Sequence, residues 1–219
     1  MTQLPKIKSS ETLSNKAYNV IRTAILESLI KPNEPVSEIK LAETLGISRT
    51  PVRTALEKLK AENLLSVQGN QLMVADLSKK DIKDFFDIRI QLEPFACSMA
   101  ARNISEDLLD KVEMSIKLQK QAIKKNDYNL YLREEYNFHG SIAKATDNSH
   151  LSNILDNLTT QLNRYLVLST TLFDSSVIST NEHEAIYLAL TEKNSEKAEF
   201  AMRQHIKNVY ERFFNVNQG

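Results

Sequence analysis

Cysteine, glycine and proline are scarce in this chain, at 1, 4 and 5 of 219 residues, and 28 basic residues are cancelled by 28 acidic ones. A lone thiol cannot close an internal disulfide, which suits a reducing compartment. It lies in the apolar run Leu92 to Ala101, where Cys97 is expected to pack as a small hydrophobe, with no cation beside it to make it a nucleophile. So few glycines and prolines leave little material for tight turns, and helices should dominate. Zero net charge removes any overall field toward nucleic acid, so such affinity has to come from a local basic surface. Met1 to Lys8 contains no continuous apolar stretch of the signal-peptide kind, and no apolar run elsewhere approaches the roughly 20 residues of a membrane helix. These absences predict a cytoplasmic protein with no membrane association. What is present, 42% apolar and 26% charged residues, is an ordinary globular mixture, long enough for one large domain or two smaller ones.

From Leu13 to Leu29 the apolar positions Ala17, Val20, Ile21, Ala24, Ile25 and Leu29 recur at three- and four-residue steps, predicting an amphipathic helix that Lys31-Pro32-Asn33-Glu34-Pro35 stops. A short helix is expected over Glu38 to Leu45, a tight corner at Gly46-Ile47, and a third helix capped by Ser48 and running to about Asn63. Two short strands follow, Leu65 to Val67 and Leu72 to Ala75, joined by the four-residue link Gln68-Gly69-Asn70-Gln71. A lone hairpin of this size needs support, and packed on the preceding helices it makes a wing. Beyond Asp76 to Lys80 everything to Phe214 reads as long helices, with breaks near Asn103, Asn126, Asp147, Phe173 to Ser179, and Lys193. The predicted fold is therefore mostly α: a winged helix-turn-helix over residues 1–77, then an antiparallel all-α bundle of about six helices over 78–219.

Leu41, Ala42, Leu45, Ile47, Val52, Leu56 and Leu59 are spaced to pin two helices across a corner whose bend Gly46 permits. The exposed first turns of the third helix then carry Ser48, Arg49, Thr50 and Arg53. A planar guanidinium can bond guanine O6 and N7 together, while hydroxyls and helix-terminal amides suit phosphate. Pro51 removes a donor that lacks an intrahelical partner anyway. Arg49, Arg53, Lys58 and Lys60 outnumber Glu57 and Glu62, supplying the positive surface that the whole chain lacks. A solvated basic helix, or a winged helix used for protein contacts, is the plainer account. Corner, cap, basic turns and hairpin together favour DNA.

The run Leu-Ala-Glu-Thr-Leu-Gly-Ile-Ser-Arg-Thr-Pro-Val-Arg-Thr-Ala-Leu, with Val36-Ser37-Glu38 before it and the hairpin after it, resembles the DNA-binding domain of the GntR regulators. The resemblance implies that Arg49, Thr50 and Arg53 contact operator bases and phosphates and that Gly69 and Asn70 of the wing approach the adjacent minor groove. Thr54 stands where that family usually has Glu, and Ile39 where some members place Arg.

Three of the four histidines fall in line with apolar stripes. Leu132, Glu135, His139 and Ile142 share one helix face, His183 lines up with Ile186 and Leu190, and His205 sits among Ala198, Met202, Val209 and Phe213. Buried unpaired, a carboxylate and imidazoles are costly. A divalent ion such as Zn, Ni, Fe or Mn would offset that cost, since an i, i+4 pair on one helix readily offers two ligands. Ordinary core hydrogen bonds for each histidine are the alternative. His150 looks exposed and is set apart. Arg89 to Pro94, Glu182 to Leu190 and Ala198 to Ile206 are similar to the FCD effector domain of the FadR subfamily. That likeness implies a metal held by His139, His183, His205 and a carboxylate, with Glu135 standing where Asp is usual, and it implies that Arg89 and Arg164 bind the carboxylate of a small organic acid. Their plainer role is an ion pair.

A metal-dependent hydrolase and a helical scaffold without DNA are the competing functions. The H-E-x-x-H pattern fails because Tyr187 follows His183 by four residues, and the chain has no P-loop, nucleotide-binding glycine motif or nucleophile elbow. The reading favoured by the residues is a ligand-responsive regulator that binds double-stranded operator DNA as a homodimer.

Overall fold

The structure, a computed structural model, describes residues 11–76, 78–169 and 171–216, with side chains described for 11–76, 78–163 and 173–214. Its contacts separate into two units, 1–76 and 77–219.

In the first unit α1 (Leu13–Leu26) begins where the Thr12 hydroxyl accepts the Asn15 amide. Ala17, Ile21 and Ile25 form its buried face, whereas Val20 and Leu29, expected on the same stripe, are 54% and 72% exposed. The helix ends at Leu26, three residues before the stripe predicts, so Leu29 lies beyond its last turn. Ser37 caps α2 (Glu38–Leu45) through the Lys40 amide, and Gly46 closes it in the left-handed region at φ 64°, a conformation open to glycine at no steric cost. The corner leads into α3 (Arg49–Ala61), which buries Val52, Ala55, Leu56 and Leu59. Strands β1 (Leu65–Gln68) and β2 (Gln71–Val74) pair antiparallel with Leu65 opposite Val74 and Gln68 opposite Gln71. The link is thus the two residues Gly69-Asn70 rather than four, because the flanking glutamines extend the ladder. Gly69 takes φ 61° at the first turn position, as a glycine-led hairpin turn requires. The segment before α2 adds to the hairpin: the Val36 amide donates to Leu72 O at 2.8 Å and the Val74 amide to Glu34 O at 2.9 Å.

The second unit is helical throughout: α4 (Lys79–Asn103), α5 (Glu106–Lys125), α6 (Tyr128–Lys144), α7 (Ser149–Ser169), the four-residue α8 (Thr171–Asp174), α9 (Ser176–Thr191) and α10 (Ser195–Val216). Six long helices match the expected number, and α8 is an addition. The loop expected through Ser179 is instead the first turn of α9, where Ser176, Ser179 and Thr180 are buried and Thr180 donates to Ser176 O at 2.8 Å. Side chains rather than turns start these helices: Ser78 and Asp81 form a reciprocal capping box at α4, Ser105 caps α5 and Asp127 caps α6. Pro94 lies inside α4 and cannot donate to the Ile90 carbonyl one turn earlier. Arg203 of α10 supplies the missing donor, its Nη1 lying 3.0 Å from Ile90 O. The core of the unit is drawn from all the long helices, with Phe86, Val112, Tyr131, Phe138, Ile186 and Ile206 fully enclosed. Among the described residues no helix is long and apolar enough to cross a membrane.

Candidate metal centre and nucleic-acid interface

In the first unit Ser48, Arg49, Thr50 and Arg53 all lie exposed on the first turns of α3, and Gly69 and Asn70 are exposed at the hairpin tip. Ser48 occupies the N-cap of α3, but its hydroxyl makes no capping bond, in contrast to Ser37 at α2. The first amides of α3 thus lack a side-chain acceptor at Ser48. The two arginines are not independent cations. Glu38, the first residue of α2, places Oε1 2.7 Å from Arg49 Nε and Oε2 2.9 Å from Arg53 Nε, with Arg53 Nη2 3.1 Å from Oε1. Those two guanidinium groups bring the Glu38 carboxyl down from 4.5 to about 2. Sequence reasoning passed over Glu38 because it lies 11 and 15 residues away from its partners; only the corner at Gly46 brings it back onto α3.

In the second unit Glu135 and His139 of α6, His183 of α9 and His205 of α10 meet in the interior. The three imidazoles are 7%, 0% and 1% exposed, and their ligand nitrogens lie within 4.8 Å of one another. His183 Nε2 and His205 Nε2 are 3.2 Å apart, and Glu135 Oε2 is 3.7 Å from His139 Nε2 and 3.8 Å from His183 Nε2. The Tyr131 hydroxyl donates to the other oxygen of Glu135 at 2.6 Å. Phe138 stacks on the His183 ring at 4.0 Å between centroids, closing one side.

Each imidazole meets a polar group at its other nitrogen. His183 Nδ1 donates to Gln119 Oε1 of α5 at 2.9 Å, and His205 Nδ1 donates to Glu182 Oε2 at 2.8 Å. His139 Nδ1 is 2.6 Å from Glu93 Oε2 of α4, a charge contact that lies off the N–H axis, so neither atom counts as hydrogen-bonded. With Nδ1 protonated on His183 and His205, their Nε2 lone pairs face each other across 3.2 Å. His139 Nε2 is buried with no hydrogen-bond partner. Converging lone pairs and an orphaned ring nitrogen are unfavourable by themselves and suit a divalent cation, so the donor set fits such an ion.

The electrostatics agree for two of the three imidazoles; at His139 burial is outweighed by Glu93 and Glu135, which raise it, so an ion there has to displace its proton. Burial depresses His183 well below the ordinary histidine value and lowers His205 as well, which keeps both neutral and able to ligate. Burial raises Glu93, but the charges of Arg89 and His139 outweigh it and hold the carboxyl below its usual range. Glu182 is likewise raised by burial and brought down to about 2 by Arg212, His205 and Asn208. Arg89 is 5% exposed and bonded to Glu93 through Nε, so the expected carboxylate-binding cation already has a carboxylate partner. Arg89 also lines a small cavity of about 20 Å³ with Glu135, His139 and His205. A larger cleft of about 720 Å³ runs between α5, α6 and α7 and reaches Glu93 and His139. The side chain of Arg164 lies outside the described residues.

Residues 13–71 match the family described as bacterial regulatory proteins, gntR family, and residues 84–208 match the FCD domain. The chain belongs to the GntR family. Its two matches together give the FadR-subfamily architecture. This GntR regulator is similar to the HTH-type transcriptional regulator YdhC of Bacillus subtilis (strain 168), 26% identical over 201 residues, which cover 91% of this chain and 90% of YdhC. It is similar also to the HTH-type transcriptional repressor RspR of Escherichia coli (strain K12), 24% identical over 219 residues, covering 100% of this chain and 96% of RspR. Among solved structures, E. coli McbR/YncC shares the fold with a TM-score of 0.78 at 23% identity, over 93% of this chain and 100% of that one. Domains and relatives are transcriptional regulators, not enzymes. In this GntR regulator every residue of the histidine cluster lies within the FCD match, as do Glu93, Gln119 and Glu182, which sequence reasoning did not assign to the site. Gln119 left no signal, since it stands among lysines and glutamines on a helix that looks solvent-facing. Glu93 stood beside Pro94 in the run used for the family likeness, four residues after Arg89.

Proposed function

We propose that this GntR regulator is an effector-responsive repressor that grips a palindromic operator as a homodimer and carries a divalent metal beside its effector. Residues 1–77 would serve as the DNA-binding domain and 78–219 as the effector, metal and dimerisation domain, working in the cytoplasm. Arg49, Thr50 and Arg53 would face the major groove, Ser48 and the first amides of α3 a phosphate, and Gly69-Asn70 the neighbouring minor groove. One recognition helix reads only a few base pairs, so selectivity calls for two copies related by two-fold symmetry. The similar protein RspR is a transcriptional repressor, which supports the same sense here.

The observation that carries the reading of the second unit is the converging Nε2 set, with His183 and His205 each anchored through Nδ1 by hydrogen bonds. His139, His183, His205 and Glu135 would hold Zn, Ni, Fe or Mn. When bound, such an ion supplies positive charge and an open ligand position. Arg89 is paired with Glu93 and Arg212 with Glu182, so Glu135, beside His139 and His183, is the carboxylate left to face an ion. A divalent ion would add positive charge there and make a small carboxylate a favourable effector, with Arg164, and Arg89 once released from Glu93, as its cationic partners. The 720 Å³ cleft is of a size that admits such a metabolite.

Effector and operator would be linked reciprocally, each altering the affinity of the other by one common factor. Footprinting on fragments of the host genome tests the assignment. Protection of an inverted repeat that changes on adding organic acids is the expected outcome, and equal affinity for every duplex would reject it.

A further inference from the structure

The Glu38 carboxylate is out of place on a surface meant for DNA. It repels phosphate, and sequence-independent attraction would be stronger without it. Nor does the fold of the unit depend on it: Ala42 of α2 and Val52, Leu56 and Leu59 of α3 share one buried cluster, and exposed ion pairs add little to stability. Yet Glu38 is only 21% exposed while the arginines it bridges are 56% and 63% exposed, so it sits beneath them as a base.

What it does is hold both guanidinium groups by their Nε edges. Arg49 gives Glu38 its Nε alone, so its terminal Nη1 and Nη2 have no polar partner among the described residues. Arg53 gives Glu38 its Nε and one hydrogen of Nη2, which leaves the other Nη2 hydrogen and both of Nη1. A guanidinium carries five N–H donors, so in either arginine the terminal Nη1 and Nη2 hydrogens can still meet guanine O6 and N7 while the Nε edge is held by Glu38. An exposed arginine must otherwise give up rotamer freedom on binding, and a side chain already held in place loses less.

We infer that Glu38 is a positioning residue of operator reading, which holds Arg49 and Arg53 by their Nε edges and aims their terminal forks at base edges. The inference rests on the DNA-binding reading above. It assigns discrimination to the two aimed arginines and trades some general affinity for it.

The test uses full-length protein and a duplex that the wild type selects from a random pool, compared with unselected duplex at one salt concentration. Glu38→Ala should lower the ratio of selected to random affinity roughly tenfold or more, the discrimination of one paired base contact, while random-duplex affinity rises. Glu38→Gln keeps one acceptor oxygen and should fall between, with an unchanged melting temperature to show that the unit is folded. In nitrogen-15 spectra the Nε–H signals of Arg49 and Arg53 should be protected from solvent exchange in the wild type and lose that protection in Glu38→Ala. Wild-type ratios in both variants, or equal losses on both duplexes, would overturn the role of Glu38 alone. A wild type that selects no duplex at all would overturn the regulator reading and this one with it.

Discussion

Arg203 donates Nη1 to the Ile90 carbonyl at 3.0 Å, across from the proline that leaves that carbonyl without its helical amide. Pro94 and Arg203 therefore form one device spread over α4 and α10. Removing the donor leaves a half-buried carbonyl short of a partner, at a cost of about 1–3 kcal/mol.

Arg203→Ala should accordingly lower the unfolding free energy by that amount in urea titrations. In a Pro94→Ala background, where residue 94 regains its amide, the same change should cost much less. Equal losses in the two backgrounds would show that Arg203 acts through something other than the proline gap.

Metal should stabilise the second unit through its three imidazoles. Zinc at about one hundred times its Kd adds roughly 2.7 kcal/mol, a melting shift on the order of 5–10 °C for a chain of this size. His183→Ala, which removes a fully buried ligand, should abolish both the shift and the metal found by elemental analysis. A variant that retains stoichiometric metal would rule the cluster out.

Gln119 and Glu182 touch no proposed ligand position themselves, but each fixes an imidazole through Nδ1. Gln119→Ala and Glu182→Gln should weaken metal affinity by about 10- to 100-fold without abolishing it. Competition titration against a chelator reads the difference, and unchanged affinities would mean that the rings need no such anchoring.

The Glu38 clamp has a defined pH window. Its carboxyl falls from 4.5 to about 2 in the fold, so the clamp's contribution is complete above about 4.5 and is lost as the pH drops through about 2. Protection of the two arginine Nε–H groups should therefore persist, flat, from neutral pH down to the start of that window. Loss already near neutrality would contradict the ion pair.

Much of this molecule was legible from its residues one element at a time. Periodicity placed α1 to α3 and six long helices, Gly46 and the Gly69-Asn70 pair marked the corner and the turn, and the spacing of Glu135 and His139 put two candidate ligands on one face. Where the reading slipped, local composition misled it: the serine- and threonine-rich start of α9 looks like a loop, yet it is buried and helical because the Ser176 carbonyl and Arg212 of α10 satisfy its hydroxyls.

By itself the sequence determined the helical class, the order of the elements and which face of each helix is apolar, because these depend on steps of a few residues along one segment. Only the tertiary structure decided that Gln119, Glu93 and Glu182 would stand behind the three histidines and that Glu38 would lie under Arg49 and Arg53. A period of 3.6 residues tells which way a side chain faces but not what another helix brings to meet it, and nearly all of those pairings join separate helices.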